Sequence, residues 1–306
     1  MKLFYYKDPK GNFGDDLNPW IWDALAPEIF DDDPSTLLVG IGTLINSKAP
    51  VRPRKLVFGS GVGYHALPAI DDKWKFYCVR GPRSAQRLGL DPSLAMTDPA
   101  VLLTRMAPPA PPYSGAVCYM PHHVSLRYAD WRAICAKAGL AYLDPADDVR
   151  ITVARIRSSR LVIAEAMHAA IVADAFRVPW IPVACYDHIL DFKWIDWCAS
   201  LRMAYRPHSI PRLWDGHHMA AQAGCLQRLR TGIKRGLHRA GLWRGTMPPQ
   251  PNRDQAEDAV VFALSALAAR GQPTLSGDSA HHAAVERLLG ALHALKRDCM
   301  ASKQAR

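Results

Sequence analysis

Short β-like apolar runs alternate with helical stretches along this chain, stop at a cluster of prolines, and then start again. That interrupted alternation constrains the fold more than any other feature. Strands separated by helices pair in parallel through right-handed crossovers, so each run of the pattern predicts its own open sheet. In the first run Leu3 to Tyr6, Leu37 to Ile41, Lys55 to Phe58 and Phe76 to Val79 read as strands. A helix through Trp20, Trp22, Leu25 and Ala26, with Pro19 in its first turn, follows the first strand, and a short helix from Ser84 to Leu88 closes at Gly89. Pro108, Pro109, Pro111 and Pro112 make residues 108–114 a stiff, extended connector.

After the connector the pattern resumes with strands at Ala116 to Met120, Ala141 to Leu143, Leu161 to Ala164 and Trp180 to Val183. Helices are expected at Trp131 to Lys137, closed by Gly139, at Asp147 to Ile156 and at Ala166 to Ala175. The expected fold is therefore α/β, with two Rossmann-like domains over residues 1–107 and 115–215. A cleft between two such halves is where a ligand belongs. Beyond Leu213 no strand pattern continues. Leu226 to Trp243 reads as a basic amphipathic helix, Pro248 to Pro251 as a break, and Asp254 to Ala269 and Ala280 to Arg297 as further helices. Residues 216–306 thus form a basic helical C-terminal extension.

At 306 residues the chain is long enough for two domains, each with its own core. Its 38 Lys and Arg against 28 Asp and Glu leave a charge of +10, which favours an anionic partner. A phosphorylated substrate, a membrane surface and nucleic acid all meet that condition. No zinc-finger pattern or RNP motif accompanies the charge, so nucleic acid is not expected. The seven cysteines are scattered without a C-x-x-C pair, which argues against a disulfide framework and a structural zinc site and suits a reducing cytoplasm. The first 16 residues carry no apolar signal core. The longest apolar stretch, Leu161 to Phe176, is broken by Glu165, His168 and Asp174, short of the ~18 apolar residues that a membrane span needs.

Four local patterns can carry chemistry. The loop Gly11-Asn12-Phe13-Gly14-Asp15-Asp16 follows the first strand; its glycines let backbone N–H groups approach a ligand, and either aspartate can accept a hydroxyl proton. The same residues also suit a turn with an acidic helix cap. Gly59-Ser60-Gly61-Val62-Gly63, with Gly40-Ile41-Gly42 upstream, forms glycine-rich strand exits fit for phosphate or sugar, yet its spacing is neither a dinucleotide fingerprint nor a P-loop. Arg80 and Arg83 flank Gly81-Pro82 at a strand-to-helix junction, where an arginine can clamp a carboxylate or phosphate, or simply lie on the surface beside the Ser84 cap. In Ser158 to Ala170 an apolar strand runs into an apolar helix that opens on Glu165 and His168. A histidine among apolar neighbours is commonly a core residue, but this one falls at the carboxyl end of a buried strand, where open α/β sheets place ligands.

Taken in order, G-N-F-G-D-D, V-F-G-S-G-V-G, V-R-G-P-R-S-A, T-D-P-A-V-L-L, M-P-H-H, A-E-A-M-H-A-A-I-V-A-D-A and F-K-W-I-D-W resemble the polysaccharide pyruvyl transferase family. The likeness is to its exopolysaccharide ketal pyruvyl transferases of the succinoglycan and xanthan kind, and covers about residues 1–202. It implies a GT-B-like two-lobed enzyme with the acceptor side on the first domain and the donor side on the second. Phosphoenolpyruvate would be the donor substrate, with no cofactor and no metal, and the acceptor a sugar of a lipid-linked oligosaccharide. His168 and Asp15 are then the catalytic candidates. Arg80, Arg83, Asn12, Gly14, Ser60, Gly61 and His122 are the substrate-binding ones. The chain would work in the cytoplasm. By its own charge and apolar face, the segment Leu226 to Arg244 reads either as a helix packed on the body with its charges in water or as an interfacial helix. The latter would make the protein peripheral to the anionic inner face of the cytoplasmic membrane, where a lipid-carried acceptor would be met. A glycosyltransferase of the same two-lobed form, using a nucleotide-sugar donor, is the alternative that the architecture allows.

Overall fold

A computed structural model describes residues 1–109, 111–213, 229, 232–233, 236–237, 240–242 and 253–304. Four parallel strands make the first sheet in the order β1-β2-β3-β4: Lys2–Phe4, Thr36–Val39, Arg54–Phe58 and Trp74–Cys78. Five make the second, in the order β6-β5-β7-β8-β9: β5 is Val117–Met120, β6 Ala141–Tyr142, β7 Leu161–Ala164, β8 Trp180–Ala184 and β9 His208–Ser209. All of their pairings are parallel. The two Rossmann-like sheets lie on either side of the proline-rich connector, as the interrupted alternation requires. Burial explains the runs: β5 and β7 are buried at every position, so they read as continuous apolar stretches rather than alternating ones.

The helices differ from expectation in two places. Helix α1 (Phe13–Leu25) begins well before Pro19, which lies inside it instead of starting it. A proline there cannot donate to the carbonyl four residues back. Asn18 supplies the missing donor, its Nδ2 reaching Asp15 O at 2.9 Å and Ile41 O at 3.0 Å. Short α2 (Pro82–Arg87), α3 (Trp131–Lys137), α4 (Val149–Ser158) and α5 (Met167–Ala175) follow the expected pattern. Helix α6 (Asp191–Ser200), carrying the F-K-W-I-D-W segment, is an element that the periodicity did not single out. The chain closes with α7 (Arg253–Arg270) and the long α8 (Asp278–Gln304).

The largest buried cluster spans both halves. Phe13, Leu17 and Trp22 of α1 share a single buried cluster with Met120 of β5, Ala164 of β7, Ala169 to Ala173 of α5 and Leu288 and Leu295 of α8. Each half also keeps a buried cluster of its own, with Val39, Val57 and Val79 in the first and Tyr119, Trp131 and Val183 in the second, so the shared cluster joins two local cores and does not replace them. A 3-10 turn, Pro99–Arg105, ends the first half and packs directly on α5 of the second. Helix α7 packs on α3, while α8 returns to the first sheet, where Asp298 accepts from Tyr77 Oη at 2.7 Å and pairs with Lys75. Among the described residues no helix is long and apolar enough to cross a membrane.

Candidate active site

The second sheet reverses its strand order at β5, between β6 on one side and β7 on the other. Ligands of open α/β sheets bind outside the carboxyl ends of the strands at such a switch point. His122 lies two residues past the end of β5, and His168 begins α5 just past β7. Both line a cleft of about 560 Å³, together with Asn12, Gly14 and Asp15 from the loop and first turn after β1. The candidates that the sequence separated by more than a hundred positions thus meet on one surface.

Asp15 and Asp16 divide the work that the loop offered them. Asp16 Oδ2 accepts the Asn12 backbone N–H at 2.8 Å and closes the start of α1. Asp15 is buried and accepts from Asn12 Nδ2 at 2.5 Å. Burial pushes its carboxyl up to about 7, against the pull of the His168 and Lys193 charges. Two glycines give these groups room. A Cβ on Gly14 would fall 1.9 Å from His168 Nδ1, and one on Gly42, whose φ is +129°, would fall 2.8 Å from Asp15 Oδ1. His168 itself is only 14% exposed, and its Nε2 lies 3.4 Å from Oδ2 of the fully buried Asp98.

The second-lobe wall is rich in imidazole. The rings of His122 and His123 are 4.3 Å apart and those of His122 and His188 5.0 Å apart. Burial depresses all three, His188 to about 4 and His122 well below the ordinary range, and the Lys193 and Arg127 charges push the same way. Near neutrality this wall is an uncharged set of donors and acceptors. Glu165, which the sequence placed at the opening of α5, turns inward. Its Oε2 accepts the His122 N–H at 2.9 Å, pinning the loop after β5, and burial raises its carboxyl to about 7.

Lys193, on α6, adds the cation. The residue is half-buried, and its Nζ donates to Tyr64 Oη at 2.6 Å and is lowered to about 7 by burial, with the Arg80 charge pushing the same way. Sequence reasoning quoted its segment without giving it a role. His123, His188 and Asp98 were passed over in the same way, since nothing local distinguishes a cleft side chain from a surface one.

Four expected binding residues stand elsewhere. Arg80 is fully buried behind the cleft wall. Its Nη1 donates to Thr43 Oγ1 at 3.1 Å, its Nη2 to Val62 O at 3.2 Å, and its Nε lies 3.5 Å from Asp196 Oδ2. Gly61 packs on that guanidinium, and Ser60 Oγ donates to Gly42 O at 3.2 Å. Arg83 is exposed, and its backbone N–H donates to Asp196 Oδ1 at 2.9 Å. The start of α2 therefore holds an internal carboxylate, Asp196 of α6, where the sequence suggested a ligand anion. The reason is tertiary: α6 delivers that carboxylate from the other half of the chain. Among the described residues no His, Cys, Asp and Glu cluster is suited to a metal.

A two-lobed α/β enzyme with a carboxyl from one lobe and an imidazole from the other is the class that this geometry defines. The particular kind follows from comparison with known proteins. The polysaccharide pyruvyl transferase family matches residues 3–188, and the chain belongs to that family. It is 36% identical over 325 aligned residues to the succinoglycan biosynthesis protein ExoV of Rhizobium meliloti (strain 1021), covering 97% of this chain and 99% of the relative.

Proposed function

We propose that this enzyme transfers the pyruvyl group of phosphoenolpyruvate to a sugar of a lipid-linked exopolysaccharide repeat, forming a pyruvate ketal. The observation that carries the reading is the meeting of Asp15 and His168, from different lobes, in one largely buried cleft. His168 protonates the enol carbon C3 of the donor, which makes C2 electrophilic. Asp15, poised near neutrality, takes the proton of the attacking sugar hydroxyl. Phosphate leaves C2, and a second hydroxyl of the same sugar closes the ketal, its proton departing with the phosphate. Asn12 holds the Asp15 carboxyl, and Gly14 admits the His168 ring. An anion beside Lys193 would favour its charged form, so Lys193 grips the donor while His122 lines the sugar side. Arg80 serves this site indirectly, by fixing Thr43, which lines the cleft, and Asp196 behind it.

A lipid-borne acceptor makes membrane docking part of the same reading. Between Leu226 and Arg244 stand Arg228, Arg230, Lys234, Arg235, Arg239 and Arg244, with no acidic residue. Most of this segment lies outside the described residues; of its apolar positions, Leu229 and Ile233 are 62% and 55% exposed. Basic residues near anionic lipid contribute about 1 kcal/mol each before screening. Flotation on anionic liposomes at low salt, lost when these six residues are changed to Gln, is the expected result. Equal flotation of both proteins rejects the docking segment.

The central test incubates the purified enzyme with phosphoenolpyruvate and lipid-linked oligosaccharide, and follows phosphate release together with product mass. Phosphoenolpyruvate should also raise the unfolding temperature by mass action. Stabilisation by nucleotide sugars and none by phosphoenolpyruvate would instead favour glycosyl transfer.

A further inference from the structure

We propose that Asp98 is the positioning residue of His168, a first-lobe carboxylate that holds the second-lobe imidazole with its proton on Nε2. Nδ1 is then the atom that exchanges protons in the cleft. The inference rests on the reading of His168 as the acid, and it adds the residue that sets its tautomer and the atom that acts.

Asp98 caps the 3-10 turn Pro99–Arg105, its Oδ1 accepting the Ala100 N–H at 3.0 Å. That cap occupies one oxygen only. Oδ2 is sealed from solvent and, among the described residues, has no hydrogen-bond partner of ordinary length. His168 Nε2 is sealed in the same way, and the two atoms face each other at 3.4 Å. Leaving a buried carboxylate oxygen without a donor is costly, and the imidazole nitrogen facing it can supply a proton. With Nε2 held protonated, Nδ1 carries the lone pair; it takes a second proton from solvent in the cleft and delivers that proton to C3 of the donor. Since Nε2 is sealed, the edge of the ring that borders the cleft is the one bearing Nδ1, laid over Gly14 at the first turn of α1. His168 also sits in the first turn of α5, where a helix disfavours positive charge, and Asp98 supplies a compensating negative one.

The pairing spans the two lobes. Asp98 precedes the proline-rich connector and His168 follows it, and the turn that Asp98 caps packs on α5. The acid is therefore oriented only while the lobes are docked in this arrangement. A cap with no further role would leave the state of the His168 ring indifferent to residue 98.

The test reads the ring directly. In protein carrying 15N-labelled histidine, long-range 1H–15N spectra without substrate should show His168 as the Nε2–H tautomer, with His168→Gln as the assignment control. Asp98→Asn should move the ring toward Nδ1–H, because a carboxamide can donate to Nε2. In the same variant kcat should fall on the order of 10²-fold, with the donor KM within a few-fold, and the limb of the pH profile should shift. Asp98→Glu should recover part of that loss. The other ionisable groups acting with this pair are Asp15 of α1 and Cys78 of β4, and Asp16 and Lys193 act on Asp15 in turn, so the change of tautomer must persist in an Asp15→Asn background. An Nδ1–H ring in the unaltered enzyme, or an unchanged tautomer and pH profile in Asp98→Asn, overturns the proposal. If Asp98→Asn does not fold, the spectrum of the unaltered enzyme decides. Failure to detect pyruvyl transfer would reject the functional reading while leaving the tautomer result standing.

Discussion

Arg80 and Lys193 are cations on the two sides of the same wall, and they are treated in opposite ways. Arg80 is anchored on three sides in a fully buried site: Thr43 Oγ1 and Val62 O accept from it, and the Asp196 carboxylate lies 3.5 Å from its Nε. Lys193 has a phenol hydroxyl for company, and burial depresses it to about 7. A buried charge that the fold satisfies is part of the scaffold. One that the fold leaves short of counter-charge gains most from an anionic ligand. Asp15 follows the second pattern, held up near 7 by burial. The cleft is lined with groups kept at some cost to stability, the usual condition of a site built for chemistry.

The largest test of this contrast is Arg80→Met. Removing one member of a fully buried ion pair leaves Asp196 without its counter-charge, so stability should fall by about 3–5 kcal/mol in urea unfolding. A variant of normal stability that had merely lost donor affinity would reverse the assignment and make Arg80 a ligand residue. Lys193→Met should do the reverse, keeping the fold while donor KM rises roughly 10-fold to 10²-fold, as loss of a charge-assisted contact implies. An unchanged KM would remove Lys193 from the donor site.

The smallest effect concerns Asp15→Asn and is read through pH. Folded Asp15 keeps its proton up to about 7, while an unfolded carboxyl releases it near 3.8. Between those values the folded state binds the extra proton, so this group lowers stability progressively as pH rises through the window. Asp15→Asn should therefore raise the unfolding temperature by a few degrees at pH 8, with the gain vanishing below about pH 4, while turnover collapses. A destabilised variant at pH 8 would show that the carboxylate is a structural asset and would end its reading as a poised base.

Much of the fold was legible because its determinants are local. Continuous apolar runs mark buried parallel strands, and β7 and α3 fall where the pattern put them, since every residue of β7 is buried and α3 is capped by its own Asp130. Pro19 misled for the opposite reason: the side chain that rescues its helix, Asn18, also reaches across to Ile41, a contact that no window of sequence contains.

The same division runs through the site. Residue types at strand ends offered Asp15 and His168 and the family resemblance added His122, while strand direction brings the carboxyl ends of the strands to one edge. The sequence by itself determined that much: two parallel sheets and the groups at their rims. Which groups face the cleft was decided only when α6 and the Pro99–Arg105 turn docked across the lobes. That docking took Arg80 out of reach by giving it Asp196, put Lys193 into the wall, and set Asp98 against His168. Burial and charge pairing act through space over a few ångströms, so they depend on neighbours that lie up to a hundred or more residues away along the chain.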